Sequence, residues 1–195
     1  MGKIILGGIF GLAVLLGLWA FSAYNGVIGL DQNVQQTEAQ TQNELQRQSD
    51  LIPNMVAVVQ KFTTFTSDTL VKIADARARV TAVSKLNPLD ISNNPDLQKQ
   101  VIDAQKANTQ AMIAINTVTE SYPDLKANDQ FTALTAELEG SQNRVTVARR
   151  NNQLAVQSYN TAVLMFPTKF FGFPSKPYYV AADSAQTAPK VVFTN

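Results

Sequence analysis

The residues that could do chemistry in this chain are acids, amines and guanidinium groups, because its 195 residues include neither histidine nor cysteine. Histidine is the commonest general base near neutral pH and the commonest transition-metal ligand, and the cysteine thiolate is a common nucleophile. Catalysis would therefore need an unusual carboxylate, lysine or tyrosine. After residue 24 the sequence contains no glycine-rich phosphate loop, HExxH metal pattern or GxSxG nucleophile motif.

The remaining charged residues are typical of a helix surface. Glu137 and Glu139 are two positions apart, so on a helix they point to different faces and are expected to be solvated. Arginines in a helical bundle usually pair with carboxylates or lie along apolar surface, and an anion or lipid-headgroup site is the alternative. The arginines in question are Arg77, Arg79, Arg144, Arg149 and Arg150. We therefore expect no catalytic, cofactor-binding or metal-binding residues and no enzymatic activity.

The charge balance argues against nucleic acid as a partner. The chain carries 16 Lys and Arg against 15 Asp and Glu, a formal net charge of +1. Binding to a phosphate backbone requires an excess of positive charge, which is missing here.

Residues 4–24 form an uncharged apolar stretch that predicts a single membrane-spanning helix. As a helix these residues would extend about 31 Å, which matches a bilayer core of about 30 Å. Trp19 and Tyr24 lie near one end, where aromatic rings favour the headgroup layer, and Lys3 lies at the other. A cleavable signal peptide is the alternative, but its apolar region is usually only about 7–15 residues long.

Small residues four positions apart in this segment favour close packing of two such helices. The pairs are Gly7 with Gly11 and Ala13 with Gly17. Spacing of this kind allows helix backbones to approach in a bilayer, which predicts a homo-oligomer. Alternatively, these glycines reflect only the ordinary composition of membrane helices.

The orientation follows from the lysine and arginine count near the membrane. Lys3 precedes the span, whereas residues 25–46 contain no lysine or arginine before Arg47. The positive-inside rule then favours an N-terminus in the cytoplasm and a large domain outside it.

After the span the apolar residues follow helical spacing in three long seams. Helices of this length with narrow apolar seams must pack against one another. The seams are Met55, Val59, Phe62, Thr66, Thr69, Ile73, Ala76, Val80 and Val83; Leu97, Val101, Ala104, Asn108, Ala111, Ile115 and Val118; and Phe131, Leu134, Leu138, Ser141, Val145, Ala148, Asn152, Ala155, Tyr159, Ala162 and Phe166.

Prolines and capping residues divide this region into four predicted helices. Pro53, the Asn94-Pro95 pair and Asn128 suit the first residues of helices, and Pro167 suits an end. The predicted helices span residues 25–50, 53–86, 95–121 and 128–166. Short connections make neighbours antiparallel, so the fold expected is an all-α, up-and-down, coiled-coil-like four-helix bundle.

The chain thus divides into a membrane anchor (1–24), a helical bundle (25–166) and a C-terminal tail (167–195). The first bundle helix carries Glu38 and Thr41 where apolar residues would continue its seam, which predicts a solvated helix. Alternatively, the helix is packed, and side-chain amides at its seam positions specify its register and its partner. The tail is aromatic and rich in proline, and we expect it to fold back onto the bundle.

Short motifs spread over residues 24 to about 179 follow one another in a recognisable order and spacing. Their residues, called the signature residues below, are Tyr24, Asn25, Asp50, Pro53, Asn54, Arg77, Pro123, Asp124, Leu125, Asn143, Arg144, Arg149, Tyr159, Asn160 and Pro167. Taken together, these motifs resemble the LemA family of bacterial membrane proteins.

The resemblance implies an N-terminal anchor followed by an antiparallel bundle of long helices. It brings no catalytic residues, because the biochemistry of the family is largely unknown. The sequence departs from the family pattern at Glu38, Thr41 and Asn43, and at Thr66-Ser67, where a His-Glu pair is common. We expect a membrane-tethered scaffold that self-associates or holds other envelope proteins. The alternatives are a lipid-binding or membrane-remodelling protein, and an enzyme with an unusual carboxylate or lysine site.

Overall fold

The computed structural model describes residues 2–120 and 122–179, and all regular elements in those ranges are helical. Long helices packed side by side confirm the predicted all-α fold. The α-helices are α1 (Gly2–Val59), α2 (Ser67–Ser84), α3 (Pro88–Asn93), α4 (Pro95–Thr119), α5 (Pro123–Lys126) and α6 (Asp129–Leu164), and a 3-10 helix (Thr168–Phe171) follows them.

Asparagine caps begin three of these helices, and the sequence predicted those at Asn94 and Asn128. The side-chain oxygens of Asn87, Asn94 and Asn128 accept hydrogen bonds of 2.9–3.4 Å from backbone N–H groups in the first turns of α3, α4 and α6. These bonds satisfy donors that a helix start leaves unpaired. Proline at the first position of α3 and α4 adds a preset backbone angle.

The predicted break at Pro53 is wrong, since α1 continues through this proline to Val59. A proline inside a helix costs about 3 kcal/mol because it removes a hydrogen bond and crowds the preceding turn. Ile52, Met55 and Val59 flank it and are at most 1 % exposed. Burying each contributes about 1.5–3 kcal/mol, so packing outweighs the local cost. The helix break falls instead at residues 60–66, where Thr66 caps α2.

The four long helices lie side by side along only part of the molecule. Helices α1 and α6 form a long antiparallel pair, while the shorter α2 and α4 form a second pair packed on α1. Four helices therefore surround the end of the bundle far from residue 2, here called the distal region: residues 46–59, α2, α4 and 129–144. The other part, the proximal region, consists of residues 27–45 of α1 and 145–164 of α6.

The predicted seams form the core. The distal region buries an apolar cluster that includes Ile52, Ile115, Leu125 and Leu138, and the proximal region buries a smaller one around Val34 and Tyr159. The first of the three seams holds from Thr69 to Val83, but its members Phe62 and Thr66 fall in the connection and are exposed. Phe166, at the end of the third seam, is 71 % exposed.

The C-terminal tail packs on the bundle as expected, as far as residue 179. Residues 172–179, here called the strap, run along the proximal region, and Lys176 and Tyr179 are buried there. The strap ends beside α2 and α4: Tyr179 packs in a buried cluster with Val80 and Val101, and Gln98 of α4 donates to the Pro177 carbonyl at 3.2 Å. The tail beyond it, residues 180–195, lies outside the described residues.

The first turns of α1 stand apart from the bundle. Large apolar side chains from Leu6 to Leu18 are 45–74 % exposed. Within the part of the chain that the structure describes, α1 is the one helix long and apolar enough to cross a membrane, with a mean hydropathy of 2.0 in its most apolar window. This segment continues into the bundle without a break at residues 24 and 25.

Candidate functional site: a buried polar cluster beneath an aromatic end

The polar middle of α1 is buried, which overturns the prediction of a solvated helix. These side chains are covered by α6, by the α2–α4 pair and by the strap. They are Glu38 and Thr41 at 0 % exposure, Gln42 at 6 %, Gln48 at 0 % and Ser49 at 2 %. The structure instead has the alternative arrangement, in which polar side chains occupy seam positions and select the helices they pack against.

Glu38 lies at the centre of a cluster formed by three separate segments. The Tyr179 hydroxyl of the strap donates a 2.5 Å hydrogen bond to Glu38 Oε1. The Arg149 guanidinium of α6 lies 5.3 Å from the centre of the Tyr179 ring, and its Nη1 donates to Gln105 Oε1 of α4 at 2.6 Å. Glu38 Oε2 is buried and has no hydrogen-bonding partner among the residues described.

Burial dominates the electrostatics of this cluster. It raises the pKa of Glu38 from 4.5 to about 7, although the Tyr179 hydrogen bond and the Arg149 charge act in the opposite direction. Burial and the adjacent Glu38 also raise the pKa of Tyr179. Burial lowers the pKa of Arg149, against the attraction of Tyr179 and Glu38. A carboxyl with a pKa near neutrality can hold or release a proton at physiological pH.

Lys176 forms a second buried contact between the strap and the bundle. Its side chain is 3 % exposed, and its Nζ lies 2.7 Å from Asp31 Oδ1 and donates to Asn93 Oδ1 at 2.8 Å. The ammonium also lies 5.0 Å from the centre of the Tyr159 ring. One lysine thus joins α1, α3 and α6 to the strap.

Two adjacent signature residues hold the strap backbone. Asn160 donates to the Lys176 carbonyl at 2.9 Å and accepts from the Lys176 N–H at 2.8 Å. The Tyr159 hydroxyl donates to the Pro174 carbonyl at 3.1 Å. The sequence identified Tyr159 and Asn160 through the resemblance, but nothing local indicated that their partner is the tail.

Amides in the seams also bond across the bundle. Asn108 of α4 donates to Gln48 Oε1 at 2.8 Å, and Gln48 donates in turn to Gln142 of α6. Asn152 of α6 donates to the Val34 carbonyl at 3.3 Å. Each bond requires one register between two helices, since a shift of one turn would leave buried amides unpaired.

The other signature residues do not converge on a single site. Leu125 is fully buried in the distal core, and Arg144 Nε lies 3.4 Å from Glu44 Oε2. Tyr24 packs against the rings of Phe171 and Phe173. Pro53 and Pro167 are half-buried. Those on the surface are Asn25, Asp50, Asn54, Arg77, Pro123, Asp124 and Asn143.

The small residues of the apolar segment face open space. A methyl group added at Gly7, Gly11 or Gly17 would meet no atom within 4 Å. Ala13 lies on the same exposed stretch. These positions therefore have no packing role within the bundle itself.

The sequence missed Glu38, Lys176 and Tyr179 as members of a cluster. The one signal available was the interruption of an apolar seam by Glu38. Such an interruption fits a solvated helix as well as a buried polar contact, and the partner is 141 residues away in sequence.

An open groove between α4 and α6 is one of the concave features on the surface of the bundle. It has a volume of about 420 Å³ and is lined by polar and apolar side chains, among them Glu120, Phe131, Thr135 and Glu139. No group of three or more acidic, His or Cys side chains that could hold a metal ion exists in the described ranges. Glu137 and Glu139 are exposed, as their spacing predicted.

These observations define a class of protein: an all-α bundle continuous with an apolar N-terminal helix, with buried polar side chains that fix the strap to the bundle. The sequence profile of the LemA family matches residues 37–193, and the chain belongs to the LemA family. It is also 26 % identical over 162 residues to a protein LemA from Metamycoplasma hominis, covering 77 % of this chain and 68 % of that protein. The LemA family is not a known enzyme family.

Proposed function

We propose that this chain is a membrane-anchored, self-associating scaffold of the bacterial cell envelope, without catalytic activity of its own. The observation that carries the proposal is the continuity of α1. One helix of 58 residues contains both the apolar segment and the first element of the bundle. An anchor joined in this way would transmit its position and tilt to the whole domain.

The length of α1 gives the scaffold a defined reach. From Tyr24 to Val59 the helix extends about 50 Å at about 1.5 Å per residue. The partner helix α6 packs along this stretch, and buried polar contacts fix its register. Such a rod would hold partner proteins at a set distance from the bilayer. The lysine count near the span favours a domain on the extracytoplasmic side.

Self-association would run through the anchor. Gly7, Gly11 and Gly17 have open space around them, so a second anchor helix can approach closely. The alternative contact through the polar positions of the first bundle helix loses its basis, because Glu38 and Thr41 are buried within one chain.

Mass photometry of the intact protein in mild detergent or nanodiscs tests this proposal. We expect the wild type to form an oligomer and Gly7→Leu/Gly11→Leu to shift it toward the monomer while its helical circular dichroism is unchanged. Gly26→Leu/Gly29→Leu is the matched control, since both glycines are exposed but lie beyond the span. A monomeric wild type at native membrane density would reject self-association.

A lipid-binding or membrane-remodelling protein is the second candidate. It is favoured by the exposed aromatic side chains around the 3-10 helix, at the end of the bundle nearest the apolar segment. Remodelling would change the size or shape of vesicles into which the intact protein is reconstituted, whereas a scaffold would leave them unchanged.

A further inference from the structure

The aromatic residues where α1 leaves the bundle form one continuous surface. The Trp19 ring lies 5.4 Å from the Phe166 ring, and Phe166 lies 5.8 Å from Phe170. On the adjoining side, Tyr24 contacts Phe171 and Phe173 at 5.6 and 5.3 Å. We call this surface the aromatic collar; its members are Trp19, Tyr24, Phe166, Phe170, Phe171 and Phe173.

The collar is exposed although its backbone is held in place. Phe166 and Phe170 are 71 % and 79 % exposed. Between them, Thr168 is buried and its hydroxyl donates to the carbonyls of Ala162 and Met165. Gly172 then adopts a left-handed conformation (φ 72°), which glycine reaches without a steric penalty and which turns the chain into the strap. The exposed rings are thus presented by a fixed turn.

The level of the collar matches the edge of a bilayer. Trp19 lies five residues before Tyr24, about 7 Å along the helix axis. Rings that contact Trp19 are therefore at the depth to which interfacial segments bury their apolar side, about 5–10 Å into the headgroup and acyl-chain boundary. Tryptophan and tyrosine favour this layer.

The charges near the collar are compatible with a lipid surface. Residues 4–30 carry no charge, and no acidic residue occurs between Glu139 and Asp183. Lys169 lies in the 3-10 helix and is exposed, so its ammonium group can contact anionic lipid headgroups. No carboxylate in these stretches would repel them.

We infer that the aromatic collar is a second membrane contact, in which Phe166 and Phe170 insert into the headgroup and acyl-chain boundary beside α1. The occupant of this surface is the bilayer from which α1 emerges, so the inference rests on the proposed anchor. One transmembrane helix alone leaves rotation and tilt free, whereas a contact at its side fixes which face of the bundle lies toward the membrane. Burial also removes two large apolar rings from water.

Tryptophan quenching by brominated lipids tests the inference on the full chain. Trp19 is the one tryptophan of the sequence, so the wild type reports the anchor alone. Trp19→Phe/Phe170→Trp reports the collar. Trp19→Phe/Phe62→Trp is the matched control, because Phe62 is 39 % exposed in the connection at the distal end. Each protein is reconstituted into nanodiscs of phosphatidylcholine and phosphatidylglycerol, with or without bromine high on the acyl chains.

We expect the brominated lipid to reduce the fluorescence of the wild type and of the Phe170→Trp protein, with no loss for the Phe62→Trp protein. Quenching of Trp19 without quenching at position 170 would contradict the membrane contact of the collar and would still support the anchor. Absence of quenching at both positions would overturn the anchor and the collar together. Equal quenching at position 62 would also overturn the inference, since the distal end would then contact lipid too.

Discussion

The distal and proximal regions pack their long helices in different ways. The distal region has four helices around an apolar cluster that includes Ile52, Ile115 and Leu138. The proximal region has two helices and the strap, and its interior contains Glu38, Asn152 and Lys176 as well as aliphatic residues. Two helices cannot enclose a wide apolar core, so the third layer there is a short extended segment held by polar bonds.

The difference teaches where stability and specificity arise. Apolar burial is non-directional, so the apolar cluster of the distal region stabilises any arrangement that keeps its residues covered, and register there is set by the contacts of Gln48 with Asn108 and Gln142. Buried polar groups pay a desolvation cost unless their partners are in place. The proximal contacts therefore add less net stability per residue, but they admit only one position of the strap. This makes the proximal region the part of the bundle that depends on the strap.

The largest expected effect comes from removing the strap. Ending the chain after Phe171 eliminates seven hydrogen bonds between the strap and the bundle, counted within the described residues. We expect the free energy of local opening of residues 27–45 to fall. At about 1 kcal/mol each, the lost bonds set an upper limit of about 7 kcal/mol on this decrease, and the entropy of ordering the strap is subtracted from it. Hydrogen exchange measured by mass spectrometry on the protein in nanodiscs reports this opening.

The matched control ends the chain after Tyr179, which keeps the strap and removes only residues 180–195. It should exchange like the full chain in residues 27–45. Amides of α2 and α4 should be protected in both truncated proteins. An equal loss of protection in the distal helices would show that the two regions form one cooperative unit.

A smaller effect is expected from a cavity in the distal core. Ile52→Ala removes a fully buried side chain beside Pro53, and such changes cost about 2–5 kcal/mol in unfolding free energy. Leu154→Ala on the surface of α6 is the control, since Leu154 is 50 % exposed and surface changes lie within about 0.5 kcal/mol. Denaturant unfolding of the intact protein in a nonionic detergent measures both. A loss below 1 kcal/mol at Ile52 would contradict the packing account of how α1 passes Pro53.

The smallest effect is a pH dependence located in the proximal region. The folded Glu38 carboxyl keeps its proton up to about pH 7, whereas the ordinary pKa of a solvated glutamate is 4.5. The folded state therefore binds more protons than the unfolded state between these values, and stability falls as pH rises through this window. The pKa shift corresponds to a decrease in the free energy of unfolding on the order of 3 kcal/mol, which is complete above pH 7.

Glu38→Gln should flatten this dependence, because the amide cannot ionise but its oxygen can still accept from Tyr179. Unfolding free energies at pH 5, 6.5 and 8 provide the measurement. We expect the variant to equal or exceed the wild type at pH 8. Glu137→Gln is the control, since Glu137 is solvated and its side chain is 45 % exposed. An unchanged pH profile in Glu38→Gln would assign the dependence to other groups.

The sequence by itself determined the features that depend on neighbouring residues. The apolar length of residues 4–24, the periodic seams and the caps at Asn94 and Asn128 all follow from spacing and local hydrogen bonding, and the structure has the helices that they predict. The resemblance likewise depends on short phrases, and the family match confirms it. The local rule for Pro53 failed because distant apolar groups cover its flanking residues.

Only the tertiary structure decided what lies inside the proximal region. Whether Glu38 and Thr41 face water depends on a strap more than 130 residues later in the chain, and their helical position is the same in either case. The same holds for Lys176, whose partners Asp31 and Asn93 come from two different helices. A buried polar residue in a seam is favourable only if the fold places a hydrogen-bonding partner next to it, and the fold of the whole chain determines which residue that is.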